Sequence, residues 1–576
     1  MGGCHTCWWR SGNLCMVKSE EIMKNTLIRL VFIGFLAGCG KKDSPDPPVT
    51  PTIKVIAIQE VKLNNTTFNS TYYGSSRQPV IRLQFNEPAM QSTVNTSVKI
   101  TDANGNDIAV SYTPQNKDSV LLIQPSSPLT ALTKYWLKVV TTLKSASGGS
   151  LQTVLEQSFI TQIDSTRKFP PLSDNALLDL VQQTTFKYFW DFGHPVSGLA
   201  RERNTDTDLC TSGGSGFGIM AIVTGVNRNF ISRTQGLTRM QTIVTFLKNT
   251  AQTFHGAYPH WLNGATGLVI PFSTKDNGAD LVETSYLMQG LLCARQYFND
   301  PGAAETTLRA DINTIFNRVE WSWFRQNNQD VLYWHWSPSG GFDINMQIKG
   351  WNECLITYVM AASSTTFSIP KSVYTNGWAG DPGFKNGGSF FGYQLPLGPS
   401  VGGPLFFEHY SFLGINPNSL TDTYANYTDQ TKNHTLINYS YCKQNPKDYF
   451  GYSDSIWGLT ASDIPNGYSA SSPTNDLGVI APTAAISSLP YTPAESMAAL
   501  KFFYYVLGDK IWKQYGFTDA FSLKDLWFAN SYLAIDQGPI IVMIENYRSG
   551  LLWDLFTSCP EVKTGMKNLG FSAPYL

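Results

Sequence analysis

The sequence predicts two folded domains, an N-terminal all-β sandwich followed by an all-α domain with the helices of an (α/α)6 toroid. Hydrophobic residues alternate with a period of two between residues 52 and 163, and with a period of 3.6 after residue 166. The chain has 576 residues, 42% of them hydrophobic and 13% aromatic, which is enough to bury two sizeable cores. Lys and Arg number 42 against 43 Asp and Glu, so there is no broad basic field to attract nucleic acid.

A secretory leader precedes the predicted domains. A basic segment is followed by the apolar run 30–37, which is too short to cross a bilayer as a mature helix. Residues 36–39 read Leu-Ala-Gly-Cys and resemble the lipobox of bacterial lipoproteins, in which the cysteine is acylated and becomes the new N-terminus. We therefore expect residues 1–39 to be an upstream extension and lipoprotein signal peptide, with a lipid anchor at Cys39 and a periplasmic or outer-membrane location. Residues 40–51 are rich in proline and predict a linker.

Five cysteines remain downstream of the leader, at positions 210, 293, 354, 442 and 559. Their spacing matches no zinc pattern, and Cys293 and Cys354 fall within apolar helical stretches. Buried free thiols are therefore predicted, with one periplasmic disulfide as the alternative. No metal ligands are assigned, because His255 and His260 straddle Pro259 and do not share a helical face.

The N-terminal sandwich is predicted over residues 52–163, where about seven short strands are separated by turn signals. Three landmarks, at 85–90, at 128–130 leading into Tyr135, and at 159–161, resemble a bacterial Ig-like domain. The module contains no cluster of titratable residues. We therefore expect it to be a spacer, with a carbohydrate-binding accessory domain as the alternative.

The helical domain is predicted over residues 167–576, with about twelve helices joined by long loops rich in Gly, Pro and aromatic residues. The predicted helices lie near residues 175–190, 216–226, 236–254, 280–298, 303–319, 351–363, 402–412, 421–440, 480–488, 494–507, 522–534 and 538–548. Twelve helices suit an (α/α)6 toroid, in which an inner ring of helices surrounds a cleft built from the loops at one end. The Gly-rich segment 212–216 lacks the lysine of a P-loop and does not predict a phosphate site.

The strongest candidate site is a set of acids at the start of the helix predicted near residue 280. If the helix begins early, spacings of four and three residues place Asp276, Asp280 and Glu283 on one helical face, where they would raise one another's pKa. The alternative is a capping box, with Asp280 as the N-cap and Glu283 at N3. Glu353 begins a second apolar helix, where a glutamate also stabilises the helix dipole. Acids from two helices at one end of a toroid suit glycoside hydrolysis, in which one carboxyl protonates the leaving oxygen and another activates water.

Aromatic runs that contain polar residues accompany these acids, at 258–261, 333–336, 406–410 and 546–548. Pyranose rings stack on Trp and Tyr, whereas His, Glu and Arg bind hydroxyl groups. Each run alone is more often core than site. A fully buried charge is costly, however, which favours a cleft for the charged members.

The helical domain resembles the glucoamylase-like domain of bacterial glycoside hydrolase family 144, whose members hydrolyse β-1,2-glucan. The resemblance rests on the motifs at 185–190, 198–203, 216–218, 280–284, 350–353, 407–411 and 544–550. It implies an (α/α)6 barrel without cofactor or metal, and catalytic acids at Asp276, Asp280, Glu283 and Glu353. We assign substrate binding to Arg201, Phe217, Tyr286, His335, Trp336, Trp351, Glu408, His409, Glu545, Tyr547 and Arg548.

These observations together predict a monomeric, lipid-anchored hydrolase that cleaves β-1,2-glucan internally or releases short oligosaccharides such as sophorose. Because the acids come from different helix starts, we expect room for a water molecule between them and therefore an inverting mechanism. Two alternatives stay open. One is a cell-surface glycan-binding lipoprotein without activity, and the other is a glucoamylase-like hydrolase of another glucan linkage.

Overall fold

The computed structural model describes residues 52–576. The predicted leader, the lipobox cysteine Cys39 and the linker up to residue 51 lie outside these described residues. Within residues 52–576, no helix combines the length and the apolar character needed to cross a membrane.

The N-terminal domain is a β-sandwich, which confirms the predicted fold. Its elements are β1 Ile58–Leu63, β2 Thr66–Thr67, β3 Tyr72–Ser75, β4 Ile81–Phe85, α1 Gln91–Ser97, β5 Val98–Thr101, β6 Val110–Gln115, β7 Val120–Pro125, β8 Lys134–Val139 and β9 Leu155–Thr161. They form a five-stranded sheet of order β2-β1-β4-β7-β6 and a four-stranded sheet of order β3-β9-β8-β5. Alternate residues such as Leu83, Leu137 and Phe159 are buried in one core between the sheets, which explains the period-two pattern.

The C-terminal domain is helical, also as predicted. Its helices are α2 Asp174–Trp190, α3 Ser212–Asn227, α4 Arg233–Asn249, α5 Leu281–Tyr297, α6 Ala303–Asn317, α7 Leu355–Ser363, α8 Tyr427–Gln444, α9 Pro482–Ile486, α10 Pro493–Tyr505, α11 Gly508–Ile511, α12 Ala534–Ser549, α13 Leu551–Thr557 and α14 Pro560–Leu569. Short 3-10 turns lie at Trp321–Arg325, Leu405–Glu408 and Ser411–Leu413, and a π-helical turn lies at Val373–Trp378. The loops contain the ribbons β10 Leu209–Thr211, β11 Trp261–Asn263, β12 Val269–Ile270, β13 Ala279–Asp280, β14 Leu332–Tyr333, β15 His335–Trp336, β16 Gln347–Ile348, β17 Ser389–Phe390, β18 Tyr393–Gln394, β19 Ala461–Ile464, β20 Gly467–Ala470, β21 Trp512–Lys513, β22 Gly516–Phe517, β23 Phe521–Ser522 and β24 Trp527–Phe528.

Two of the predicted helices are not α-helices. The segment near 402–412 forms two 3-10 turns, because Gly402 and Gly403 both adopt positive φ at its start. The segment near 522–534 begins as the hairpin of β23 and β24, with Leu526 at positive φ in the turn. Phe521 pairs with Phe528 across the two strands, and a helical periodicity does not predict this contact. The helices α13 and α14 were also not predicted.

The inner helices are buried on all sides and begin at the same end of the domain. Nearly all residues of α3, α5, α7 and α12 are buried along their first three turns, whereas α4 and α6 have an exposed face. In the first turns of α5 and α3, the carboxylate of Glu283 accepts the N–H of Gly213. In the first turns of α9 and α12, the hydroxyl of Thr483 donates to the carbonyl of Asp536. The helix starts therefore meet at one end, where the ribbons of the loops surround them.

The Ig-like domain contacts the helical domain directly. The side chains of Leu132 and Ile163 pack against the helical core, and the rings of Tyr73 and Phe450 have centroids 5.5 Å apart. The backbone N–H of Lys168, in the connection between the domains, donates to the carbonyl of the last residue of α10. The connection is thus held against the helical domain by backbone as well as side-chain contacts.

The five cysteines of the described residues are buried free thiols, so the prediction is confirmed and the alternative disulfide is not formed. Burial raises the pKa of the Cys210 thiol to about 12. A thiol in this state stays protonated at neutral pH and behaves as a small apolar side chain.

Candidate active site

Asp280 caps helix α5 and also faces two histidines. Its Oδ1 accepts the backbone N–H groups of Val282 and Glu283 at 3.0 and 2.9 Å, so the predicted N-cap is confirmed. Its Oδ2 lies 3.1 Å from His260 Nδ1 and 3.7 Å from His335 Nε2. One oxygen of this carboxylate therefore belongs to the helix, and the other belongs to the site.

Glu283 does not complete a capping box. Its Oε2 accepts the N–H of Gly213 at 2.8 Å across the interface with α3, instead of bonding back to the N-cap residue. A Cβ atom on Gly213 would lie 2.3 Å from this oxygen, so the approach requires glycine at that position. The Gly-rich segment at the start of α3, which predicted no phosphate site, thus has a packing function beside the acids.

Asp276 reaches the same cluster from the loop before α5. The helix begins at Leu281, so the four-residue spacing does not place Asp276 on its face, and that expectation is wrong. Asp276 Oδ2 instead lies 3.4 Å from His335 Nε2, and His335 is presented by the ribbon in which β13 pairs with β15. Burial lowers the pKa of His335 to about 4, which leaves this imidazole neutral.

The charges of the cluster are distributed unevenly. Burial raises the pKa of Asp276 and of Glu283, and the charge of Asp280 raises both further. Burial would also raise the pKa of Asp280, but the hydrogen bond and charge of His260 hold it below its usual value. Burial alone would lower the pKa of His260, but the carboxylates of Glu283 and Asp280 raise it to about 10. At neutral pH the cluster thus contains an ion pair between Asp280 and His260, next to carboxyl groups that favour the protonated form.

Glu353 is the acid of this cluster whose carboxyl group is free. It lies two residues before α7, and no other residue within 52–576 forms a hydrogen bond or ion pair with its carboxyl group, whose pKa is lowered only by its own backbone N–H. Burial raises the pKa of Glu353 to about 7, and the charges of Glu283 and Asp280 contribute in the same direction. The side chain is half-buried rather than enclosed. A free carboxyl with these properties has what general acid catalysis requires.

A second group of acids, which the sequence did not reveal, lies around Arg203. The Nη1 of Arg203 donates to both oxygens of Asp463 at 2.9 Å, and Asp519 Oδ2 accepts the N–H of Asp463 at 2.6 Å. Asp536 is 2% exposed, and its Oδ2 has no hydrogen-bond partner within residues 52–576. Burial raises the pKa of Asp536 well above its usual value, and Asp519 raises it further. Asp536 could have been found by the pattern that identified Glu353, because each is a single acid at the start of an apolar helix.

Two tyrosines lie between the two groups of acids. Burial raises the pKa of Tyr410 well above its usual value. Nearby carboxylates from both groups, namely Asp536, Glu353 and Glu283, raise it further. The ring of Tyr410 lies 5.6 Å from that of Tyr286, whose buried hydroxyl has no partner in the described chain. Acids at the starts of α5, α7 and α12 therefore all lie close enough to Tyr410 to raise its pKa.

Three of the predicted binding residues lie beside these acids: Tyr286, His335 and Trp336. Arg201 lies in the loop before α3, and its guanidinium donates to the carbonyls of Phe192 and Thr207, each at 2.7 Å. Phe217 is fully buried beneath the two tyrosines, with its ring 5.3 Å from that of Tyr410. The guanidinium of Arg201 thus holds the backbone of neighbouring loops. Phe217 packs under the tyrosines and has no exposed surface that a substrate could contact, so its predicted binding role is corrected.

The predicted binding residues Trp351, Glu408 and His409 form part of a buried network instead of a cleft wall. Glu408 is fully buried. Its Oε1 lies 3.0 Å from Trp351 Nε1, 2.8 Å from Gln430 Nε2 and 2.9 Å from His434 Nδ1. His409 is 1% exposed, and burial lowers its pKa to about 3. The expectation that charge draws these residues into a cleft is corrected, because all three are buried and Glu408 Oε1 accepts its donors in the interior, while Glu408 Oε2 is buried without a partner within residues 52–576.

The predicted residues Glu545, Tyr547 and Arg548 lie at the opposite end of the domain. Glu545 is bonded to Arg228 at the C-terminus of α3, with Nε–Oε2 at 2.6 Å and Nη2–Oε1 at 3.0 Å. The first turn of α3, where Glu283 binds, is about 20 Å away along the helix. The expectation that the three residues line the same cleft is therefore wrong, because their motif falls at the end of an inner helix.

One set of side chains has the spacing of metal ligands. Within residues 52–576, ligand atoms of His260, Asp276 and Asp280 all lie within 4.8 Å of one another. The hydrogen bond between His260 and Asp280 already joins two of the three. That the enzyme works without a metal stays a prediction from the family resemblance.

Comparisons with known proteins agree with this architecture. The "Putative glucoamylase" family matches residues 345–560, and the bacterial Ig-like domain family matches residues 58–161. An exo β-1,2-glucooligosaccharide sophorohydrolase (non-reducing end) of Parabacteroides distasonis is 44% identical over 421 residues, which cover 69% of this chain. The matched region spans 58% of the length of that relative.

Two solved structures are similar over longer shares of their chains. One is an endo-β-1,2-glucanase of Chitinophaga pinensis in complex with sophorotriose and glucose, with 52% identity and a TM-score of 0.69 over 70% of this chain and 100% of that chain. The other is a β-1,2-glucanase of Parabacteroides distasonis, with 36% identity and a TM-score of 0.68 over 90% of this chain and 73% of that chain. The helical domain alone is too short to supply 90% of the chain, so the second similarity extends into the Ig-like domain.

The fold and the acids define a glucoamylase-like (α/α)6 domain with a cluster of acids at the starts of its inner helices. The chain belongs to the family of glucoamylase-like proteins that these relatives represent, and it carries a bacterial Ig-like domain in addition. The predicted resemblance to glycoside hydrolase family 144 is confirmed for its fold and for its β-1,2-glucanase relatives.

The network around Glu408 predicts a structural effect for its removal. Replacing Glu408→Ala leaves three buried donor groups without their acceptor, so the free energy of unfolding should fall by about 3–5 kcal/mol, measured by urea denaturation. The control Glu156→Ala, on the surface of the Ig-like domain, should change it by less than about 0.5 kcal/mol. Unchanged stability together with weaker substrate binding would instead return Glu408 to the cleft.

Proposed function

We propose that the protein is a glycoside hydrolase that cleaves β-1,2-glucan with acid and base carboxyl groups. The observation that carries the proposal is the carboxyl of Glu353, which no other residue holds and whose pKa is raised to about 7, near the charged Asp280 in a glucoamylase-like domain. The substrate class is supported by relatives that act on β-1,2-glucan and its oligosaccharides. These relatives include an exo-acting and an endo-acting enzyme, so the proposal specifies the β-1,2 linkage that is cleaved and not the position of cleavage in the chain.

Glu353 is the proposed general acid. It is protonated up to about neutral pH, and no other residue within 52–576 holds its carboxyl group. Asp280 is less suited to this role, because one oxygen caps α5 and the other is paired with His260. Glu283 is less suited as well, since its carboxylate is held by the N–H of Gly213.

The group that activates water is proposed to come from the start of α5, from the pair Asp280 and Glu283. Asp280 keeps its negative charge through His260, and a charged carboxylate is required to receive a proton from water. Glu353 comes from the start of a different helix, α7, and neighbouring helix axes are typically about 8–10 Å apart. A carboxyl separation of about 6.5–9.5 Å leaves room for a water and gives inversion.

The non-catalytic alternative is disfavoured by the same carboxyl group. A half-buried acid that no other residue holds, with its pKa raised to about 7, is typical of functional sites. A protein that only binds glycan would have no use for it. Hydrolysis of another glucan linkage is the remaining alternative, and it is decided by offering β-1,2-glucan, other β-glucans and starch and separating the products by chromatography.

Glu353→Gln should lower kcat by about 10²–10⁴-fold, because the amide cannot donate the proton. For the wild-type enzyme, kcat/KM should fall as the pH rises through about 7, since deprotonation of Glu353 removes the acid. Turnover of β-1,2-glucan at pH 5 to 9 measures both effects, and the thermal melt should stay cooperative.

A matched variant for this test is Glu495→Gln, which changes a first-turn glutamate of the outer helix α10. It should keep wild-type turnover. If Glu353→Gln also keeps turnover, or if the wild-type activity stays constant well above pH 8, Glu353 is not the acid.

We also propose that the mature protein is anchored to a membrane by lipid on Cys39, which rests on the leader and lipobox of the sequence. Removal of the acyl chains removes the dominant membrane affinity, so Cys39→Ala should move the protein from the membrane fraction to the soluble fraction. The measurement is fractionation of cells followed by immunoblotting. A variant that stays with the membranes would contradict the anchor.

A further inference from the structure

A cavity of about 610 Å³ lies beside the acid cluster, within the range of cavities that bind small molecules. We name it the Trp323 groove, and its walls are formed by Trp323, Gln326, Asn327, Trp336, Phe342, Asp343 and Asn345. It combines three aromatic rings with three amide side chains and one carboxylate. This composition suits a ligand that has both apolar faces and hydroxyl groups.

The ring of Trp323 is held rigidly and keeps one face open. His255 stacks on it with ring centroids 4.0 Å apart and an angle of 15° between the planes, and Trp323 is still 45% exposed. His255 is itself fixed by Glu320, with Nδ1 2.9 Å from Oε2, and its edge contacts Trp336 at 4.8 Å between centroids. One face of the indole is therefore supported by protein, and the other is available for a flat apolar partner.

Backbone strain surrounds the groove on both sides. His255 adopts φ +50° on one side, and Gln326, Asn327 and Asn328 follow one another at φ +41°, +64° and +59° on the other. Left-handed backbone at residues other than glycine is uncommon and is retained chiefly where the surrounding structure requires it. The buried Oε1 of Gln326 has no hydrogen-bond partner within residues 52–576. Because this oxygen is enclosed by the protein, a ligand in the groove meets the ring of Trp323 rather than this acceptor.

The ribbon of β13 and β15 separates the groove from the acid cluster. Asp280 pairs with His335, and Ala279 pairs with Trp336, so neighbouring residues of β15 belong to the acid cluster and to the groove. Consecutive strand residues point to opposite faces, which places the groove beside the acids rather than among them. A glucan chain that occupies both sites must therefore pass over the edge of this ribbon.

We propose that the Trp323 groove is a subsite that binds a further stretch of the β-glucan chain, by stacking a glucose ring on the open face of Trp323. This inference rests on the proposed function, because it takes the ligand to be the same glucan. The groove contributes affinity for long chains and no chemical step. It thereby makes the enzyme sensitive to chain length.

The test compares full-length wild type with Trp323→Ala and Trp323→Phe on long β-1,2-glucan and on the β-1,2-linked trisaccharide. Loss of one stacking contact should raise KM for the long chain about 3- to 10-fold in Trp323→Ala. The kcat value, and both constants for the trisaccharide, should change less than about twofold, because a short chain can bind at the acids alone. Trp323→Phe retains a ring and should recover most of the affinity.

Trp136→Ala is the matched control, since it removes a partly exposed tryptophan from the Ig-like domain. An unchanged KM in Trp323→Ala, an equal effect on the trisaccharide, or an equal effect of Trp136→Ala would overturn the subsite. If the wild type leaves β-1,2-glucan intact, the proposed function fails. Glucan binding by the groove is then tested separately, by the retardation of the same proteins in gels that contain β-1,2-glucan. Loss of retardation in Trp323→Ala alone supports the subsite. Equal retardation of all the proteins overturns it.

Discussion

The close approach of α3 and α5 is the constraint on which the site depends. A Cβ atom on Gly216 would lie 2.2 Å from the carbonyl oxygen of Tyr286, and one on Gly290 would lie 2.2 Å from the carbonyl oxygen of Gly216. The two backbones are therefore in contact without side chains between them. Only at this separation can Glu283 on α5 accept the N–H of Gly213 on α3. The glycines near the start of α3 thus position a carboxyl group that belongs to another helix.

This contact determines how the site holds several acids at once. Helix N-termini favour negative charge, but burial disfavours it, and the site uses both effects. Asp280 stays charged because it caps α5 and is paired with His260, whereas burial raises the pKa of Glu283 and Glu353. One charged carboxylate and one protonated carboxyl can therefore coexist at neutral pH. The inner helices, buried on all sides, offset the cost of this arrangement with apolar packing.

Much of the fold and part of the site could be predicted from local pattern. The alternation of residues such as Leu83 predicted the sandwich, and the isolated acid Glu353 before an apolar helix predicted a site residue. Asp463 and Asp519 could not be found in this way, because they lie in loops whose only connection to the site is tertiary. The location of Glu545 was missed for a related reason. Whether a motif lies at the beginning or the end of an inner helix decides which face of the toroid it reaches.

Glu408 shows that the location of a polar residue cannot be predicted from its local sequence either. A glutamate in an aromatic run predicts a cleft, since an unpaired buried charge is costly. The structure supplies Trp351, Gln430 and His434 as donors, all from segments distant in sequence. Periodicity and local composition carry no information about such partners. Polar residues that are satisfied in the interior are therefore recognised only when the tertiary contacts are known.

The central claim is that a protonated Glu353 on α7 and a charged carboxylate on α5 act on opposite sides of a glycosidic bond, with a water between. Proton NMR of the anomeric region during the first minutes of β-1,2-glucan hydrolysis tests it most directly, because it identifies the new reducing end before mutarotation. Single displacement with inversion predicts that the α-anomer appears first. An initial β-anomer, or a trapped glycosyl-enzyme, would contradict the claim and would make one of these carboxylates a nucleophile.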